Sequence, residues 1–126
     1  MRRSLFAALL LPSLLLAQTD KPQAELKTGS AVEKMELVGE SSDFKVPAGT
    51  RIFVWAKVTG AADSTVIIVF SKGDKSTKQE LKVPRSPYRT NAYRTFRKGD
   101  DGEWTVKLLS AQNTELGSAT FKVEVQ

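Results

Sequence analysis

Apolar residues recur at every second position along most of the chain, which is the spacing of a strand with one buried face. The clearest example is Arg51–Thr59, whose aliphatic face consists of Ile52, Val54, Ala56 and Val58. No stretch after the first 30 residues has the i, i+3, i+4 spacing of an amphipathic helix. The pattern predicts an all-β protein with about seven short strands, an immunoglobulin-like antiparallel β-sandwich, with a small barrel as the alternative.

The other apolar runs predict where the remaining strands lie. Val32–Val38 is expected to be one strand, and Val66–Phe70 is apolar on both faces, as in a strand buried on both sides. Tyr88–Phe96 alternates but is mostly polar, which places it near a sheet edge. Trp104 has the same parity as Val106 and therefore belongs to the predicted core.

The N-terminus has the pattern of an export signal. Two arginines precede an apolar run from Leu5 to Leu16, and Ala17 supplies a small residue for cleavage. The run is about a dozen residues long, whereas a spanning helix needs roughly 20. We predict a signal peptide at 1–17, a flexible polar leader at 18–30 and a single sandwich domain at 31–126. The mature protein is then periplasmic or secreted, with no stable membrane insertion.

Composition excludes much of the usual chemistry. The 126 residues include no cysteine and no histidine, so disulfides, Ser–His–Asp triads and thiolate or imidazole metal sites are excluded. Asp100, Asp101 and Glu103 surround a glycine, but three carboxylates in one short turn more often form a plain β-turn than a calcium site. We predict no catalytic residue, no metal site and no cofactor, and we do not expect an enzyme.

Positive charge is concentrated in one part of the chain. The formal net charge is +5, and residues 72–98 hold nine Lys or Arg residues against two acidic ones. The predicted surface for an anionic partner consists of Arg89, Arg94, Arg97, Lys78, Lys82 and Tyr93. Because side chains alternate along a strand, Arg94 is expected on the opposite face from Arg89, Tyr93 and Arg97. The alternative is that these charges only protect an edge strand from aggregation.

A second candidate surface lies on the strand 51–59. Phe53 and Trp55 point away from its aliphatic face and are flanked by Arg51 and Lys57. Exposed aromatic side chains stack on sugars or anchor protein partners. Two other interpretations remain open, namely that a loop covers this face or that the aromatic residues themselves form the core.

Three elements occur in a fixed order in the second half of the chain. Arg89-Thr90 comes first, a G-x-W-x-V element begins at Gly102, and an F-x-V element begins at Phe121. In this order, over about Thr50 to Val125, the chain resembles the bacterial family of unknown function DUF2914. The resemblance implies an exported β-sandwich module that is often attached to other domains and has no established activity.

Together, these features predict an exported, non-catalytic accessory or binding module of the bacterial cell envelope. Its expected partner is an envelope polyanion, a glycan or a protein, and nucleic acid is not expected in that compartment. The alternative is a structural subunit of an extracellular or periplasmic assembly.

Overall fold

All regular secondary structure in the computed structural model, which describes residues 21–126, is β-strand. The predicted signal peptide lies outside these residues. None of the described segments is a helix that could cross a membrane. The strands are β1 Gln23–Gly29, β2 Ala31–Glu33, β3 Glu36–Val38, β4 Asp43–Val46, β5 Thr50–Thr59, β6 Ser64–Lys72, β7 Lys75–Val83, β8 Tyr88–Phe96, β9 Gly102–Ser110 and β10 Glu115–Val125.

The strands form two facing sheets and one small hairpin. The three-stranded sheet has the order β1-β5-β8, the five-stranded sheet has the order β4-β10-β9-β6-β7, and β2 pairs with β3. Two separate sheets make a sandwich, so the predicted fold class is confirmed and the barrel alternative is wrong. One pairing departs from the predicted antiparallel arrangement, because β4 runs parallel to β10. These two strands are far apart in sequence, so no hairpin turn forces them to be antiparallel.

The core lies between the two sheets and contains the predicted aliphatic face of β5. Ile52, Val54, Ala56 and Val58 all have an exposed fraction of 0%. The five-stranded sheet faces them with buried residues that include Val66, Ile68 and Phe70 of β6 and Trp104, Val106 and Leu108 of β9. Strand β6 is buried on this face alone, since Ile67 and Val69 on its other face are only half-buried. The prediction of a doubly buried strand is therefore wrong.

Aromatic rings pack edge to face at the centre of this core. The ring centroids of Phe96 and Trp104 are 5.2 Å apart, and those of Phe96 and Phe121 are 5.7 Å apart. Both contacts are close to perpendicular, which is a favoured geometry for aromatic pairs. Trp104 is fully buried, so its predicted place in the core is confirmed.

The prediction of a flexible leader at 18–30 is wrong for residues 23–29, which form a strand. Residues 23–29 form β1, an edge strand that pairs antiparallel with β5 from Gln23 opposite Thr59 to Gly29 opposite Phe53. Its Leu26 side chain packs against the core. Backbone pairing with β5, which is distant in sequence, stabilises this polar segment as a strand. The composition of the segment itself gives little indication of that pairing.

The predicted strand Val32–Val38 is also wrong, because the chain reverses in its middle. Strands β2 and β3 form a hairpin whose turn residues, Lys34 and Met35, have φ angles of 50° and 64°. Two consecutive positive φ values are those of a type I′ turn, which usually contains Asn or Gly. Neither residue type occurs at these two positions, so the sequence contains no turn signal there. Met35 consequently lies at the hairpin tip with 44% of its surface exposed.

Candidate functional site

The outer face of the three-stranded sheet brings together residues from both predicted surfaces. On β5, alternation directs Phe53 and Trp55 away from the core. The register with β8 places Tyr93 opposite Phe53 and Arg89 opposite Lys57. We call this surface, with Arg51 and the β1 residues Glu25 and Lys27, the outer face.

One end of the outer face is a stack of aromatic rings and a guanidinium group. The ring centroids of Phe53 and Tyr93 lie 5.4 Å apart. The Arg51 guanidinium carbon lies 4.4 Å from the centroid of the Tyr93 ring, within the range of a cation–π contact. Tyr93 is 42% exposed. This end therefore offers both an accessible ring and a positive charge to a ligand.

The middle of the outer face is Trp55, which the β2–β3 hairpin partly covers. Its indole N–H donates a hydrogen bond to the carbonyl oxygen of Met35 at 2.9 Å. The Lys27 ammonium lies 5.6 Å from the Trp55 ring centroid. The predicted aromatic pair thus lies outside the core, as the alternation indicated, but both rings are half-buried. The hairpin contacts Trp55, and the Tyr93 ring packs against Phe53.

Three positively charged residues of the outer face form no ion pair. In residues 21–126, ion pairs occur at four places, and Arg51, Lys57 and Arg89 take part in none of them. Lys27 does have a partner, since its ammonium lies 3.6 Å from the Glu25 carboxylate. Lys57 lies between two cross-strand neighbours, Arg89 of β8 and Glu25 of β1. The like charge of Arg89 is unfavourable in that arrangement and the opposite charge of Glu25 is favourable.

A recess lies beside Trp55, between the sheet and the hairpin. It has a volume of about 290 Å³, and we call it the indole recess. Its lining consists of Lys27, Glu36, Leu37, Glu40, Trp55 and Arg89. A larger depression of about 580 Å³ shares Arg89 with it and is lined by Met35, Arg85, Pro87 and Tyr88 as well. Arg89 therefore contributes to both openings.

Lys78 and Lys82 lie on the opposite side of the molecule from the outer face. On β7 they pair with Val69 and Thr65 of β6, on the solvent side of the five-stranded sheet. The prediction that they share a surface with Arg89 is wrong, because consecutive strands of the basic segment belong to different sheets. The charges are close in sequence, but the whole thickness of the sandwich separates them.

The prediction that Arg94 belongs to the surface for an anionic partner is also wrong. Its side chain is only 17% exposed and lies 3.3 Å from the Asp100 carboxylate. Its guanidinium carbon is 4.3 Å from the centroid of the Trp104 ring. Since both its charge and its flat face are already occupied, Arg94 supports the fold and not the outer face.

Arg97 is exposed but lies beyond the end of β8. Its backbone N–H donates to the Asp100 carboxylate at 2.9 Å. Because β8 is an extended strand, this position is at the opposite end of it from Arg89. Alternation correctly placed Arg89 and Tyr93 on one side of β8. Arg97 has the same parity, but it follows the last residue of the strand.

The acidic turn predicted to be structural contains a buried ionic centre. Asp100 is 8% exposed and accepts a hydrogen bond at 2.8 Å from the Lys75 ammonium, in addition to those from Arg94 and Arg97. Burial by itself would raise the pKa of Asp100, but these hydrogen bonds together lower that pKa to about 2. The described part of the chain contains no group of three or more acidic side chains placed to hold a metal ion.

The residues that carry the family resemblance lie in β8, β9 and β10. Trp104 is buried on β9, and Phe121 pairs with it from β10. Residues 63–123 match the family model described as "Protein of unknown function (DUF2914)". The predicted resemblance is confirmed over that segment. The DUF2914 segment contributes Arg89 and Tyr93 to the outer face, while β1, the hairpin and β5 lie before it.

The arrangement of the two sheets has a counterpart of known structure. An immunoglobulin-like protein from Pseudomonas aeruginosa, whose crystal structure was determined at 1.50 Å, superimposes with a TM-score of 0.58. The two chains are 15% identical, and the similarity covers 82% of this chain and 97% of the other. This likeness concerns the fold alone and confirms that the sandwich is immunoglobulin-like. No curated protein matches the chain.

Proposed function

We propose that the chain is a non-catalytic binding module of the bacterial cell envelope, and that its outer face takes an anionic partner. The observation that carries the proposal is the composition of that face. Arg51, Lys57 and Arg89 have no carboxylate within 4.0 Å in the described structure, and they share the sheet face with three aromatic rings. Arginine and lysine favour carboxylate and phosphate partners.

The spacing of these charges favours an extended ligand. Arg51 and Lys57 are six residues apart on β5, which corresponds to about 20 Å along a strand. One small anion cannot contact both ends of such a face, whereas a polymer with repeated negative charges can. The half-buried rings between the charges add apolar contact area at little conformational cost.

The envelope location rests on two observations from the sequence. The first 17 residues have the pattern of a signal peptide, and the DUF2914 resemblance implies export. The immunoglobulin-like fold is compatible with a binding role, and the absence of His and Cys from the sequence removes the commonest catalytic nucleophile and base combinations.

A paired charge substitution tests the assignment of the face. In the double variant Lys57→Gln, Arg89→Gln, we expect affinity for immobilised polygalacturonate at low salt to fall about tenfold, since exposed charges act mainly through long-range attraction. Both side chains are exposed or half-buried, so unfolding free energy should change by less than about 0.5 kcal/mol. Surface plasmon resonance and chemical denaturation provide the two measurements.

The matched control removes the same charge from the other sheet. The double variant Lys78→Gln, Lys82→Gln should bind polygalacturonate within about twofold of the parent, because its changes lie across the sandwich and beyond the Debye length of about 8 Å once salt is raised to physiological strength. Equal losses in both double variants at that salt would mean that net charge alone governs binding, and would contradict the assignment to the outer face.

The alternative function, a structural subunit of an assembly, has one supporting observation. Strand β7 is a nine-residue edge strand whose side chains are almost all exposed, and such an edge can pair with another copy. Lys78 and Lys82 on that strand oppose such pairing. We therefore expect a monomer in size-exclusion chromatography with light scattering at all accessible concentrations. A mass that rises with concentration would favour the assembly subunit.

A further inference from the structure

The indole recess differs in charge from the face around it. Its lining contains two cations, Lys27 and Arg89, and two carboxylates, Glu36 and Glu40. The surrounding outer face carries Lys57 and Arg51, which form no ion pair, and a single carboxylate, Glu25, opposite Lys57. A site for a simple polyanion would exclude carboxylates, because their repulsion opposes binding. The two glutamates therefore need a different explanation from the cations.

We infer that the indole recess holds one hydroxylated sugar ring of an acidic polysaccharide, whose carboxylates contact Lys57 and Arg51 outside the recess. This inference rests on the proposed function and specifies its ligand. Hydroxyl groups both donate and accept hydrogen bonds. Glu36 and Glu40 accept from ring hydroxyls, while Lys27 and Arg89 donate to ring oxygens or to the carboxylate of the same sugar unit.

The indole of Trp55 supplies the apolar part of this recognition. One face of a pyranose ring presents mainly C–H groups, which pack against a flat aromatic surface. The hydrogen bond from the Trp55 indole to the Met35 carbonyl at 2.9 Å holds the ring in one orientation. The Lys27 ammonium lies over the ring, 5.6 Å from its centroid, where it also meets the oxygens of a bound sugar.

The recess is formed before any ligand arrives. Leu37 of the hairpin packs so closely on β1 that a Cβ atom at Gly29 would lie 2.7 Å from its Cδ1. This contact and the Trp55–Met35 hydrogen bond fix the hairpin against the sheet from two sides. A preformed site avoids the entropy cost of ordering a loop on binding. The volume of about 290 Å³ is at the lower limit of ligand sites, which span about 300–1,000 Å³, and suits a single ring.

The experiment compares two polyanions that differ in the presence of a hydroxylated ring. Polygalacturonate has both rings and carboxylates, and polyglutamate has carboxylates alone. In the full-length double variant Glu36→Ala, Glu40→Ala, we expect affinity for polygalacturonate to fall about tenfold, the equivalent of one charge-assisted hydrogen bond. Affinity for polyglutamate should rise, because two repulsive charges have been removed. The opposite signs distinguish ring recognition from bulk electrostatics.

The matched control is the double variant Glu80→Ala, Glu103→Ala. Both glutamates are exposed on the outer side of the five-stranded sheet, so the same change in net charge should leave the order of the two affinities unaltered. Increased affinity for both polymers in the Glu36→Ala, Glu40→Ala variant would overturn the sugar site and leave the proposed function standing. Failure of the parent protein to bind either polymer would overturn the proposed function, and this inference with it.

Discussion

Replacing Trp104 by alanine is expected to lower the free energy of unfolding by roughly 3–5 kcal/mol. The side chain is fully buried, and its indole N–H donates to the Asp100 carbonyl at 2.8 Å. The substitution leaves a cavity beside Phe96 and Arg94 and removes the hydrogen bond to a buried carbonyl. A domain of this size has a total stability of about 5–15 kcal/mol, so this loss is a large fraction of the total and should lower the urea midpoint markedly. Urea denaturation followed by circular dichroism measures the loss.

A pair of milder substitutions provides the control for that result. Trp104→Phe and Trp55→Phe each remove one hydrogen bond that an indole N–H group donates. The hydrogen bond of Trp104 is buried, whereas that of Trp55 lies at the surface. We expect the Trp104→Phe variant to lose more stability than the Trp55→Phe variant. If Trp104→Ala instead melted close to the parent and lost only binding, Trp104 would be a surface platform and its assignment to the core would be wrong.

The core could be predicted because its signal is local. On β5 every second residue is aliphatic, so Ile52, Val54, Ala56 and Val58 specify one face without knowledge of any partner strand. The same holds for Trp104 on β9. Each of these residues is completely buried in the structure, and a one-residue shift in register would turn the whole set towards solvent.

Strand β1 and the hairpin could not be predicted because their causes are not local. Residues 23–29 include two apolar side chains, Ala24 and Leu26, and their strand conformation depends on pairing with β5. The hairpin reverses at Lys34 and Met35, where the backbone adopts positive φ without a glycine or an asparagine. Packing of the hairpin on β1 and Trp55 stabilises a turn that local preferences disfavour.

About half of the candidate site could be predicted from the sequence, and the sheet topology explains why the rest could not. Alternation correctly placed Phe53, Trp55, Arg89 and Tyr93 away from the core, and it also separated Arg94 from Arg89. Parity determines on which side of a strand a residue lies but not to which sheet the strand belongs. Strands β7 and β8 follow one another in the chain and belong to opposite sheets, so the basic segment is divided between two surfaces.

Replacing Asp100 by asparagine should lower the free energy of unfolding at neutral pH by at least about 2 kcal/mol. The Asp100 carboxylate accepts hydrogen bonds from Lys75, Arg94 and the backbone of Arg97, which links β7, β8 and the turn before β9. Asparagine retains one acceptor oxygen but leaves the Arg94 guanidinium, which is 17% exposed, without a counter-charge. Asp74→Asn, an exposed change in the β6–β7 turn, is the matched control and should have little effect.

The pH dependence of stability provides a second test of the Asp100 carboxylate. Burial opposes its ionisation, yet the hydrogen bonds lower the pKa from 3.8 to about 2. A group whose folded pKa lies below its unfolded pKa contributes stability above the unfolded value and loses it as pH falls towards the folded value. We therefore expect the parent to lose about 2 kcal/mol from this group between about pH 5 and pH 2. The Asp100→Asn variant lacks this loss, so its stability difference from the parent should narrow in the same range. A difference that stays constant down to pH 2 would mean that the carboxylate is not held in its charged form by Lys75 and Arg94.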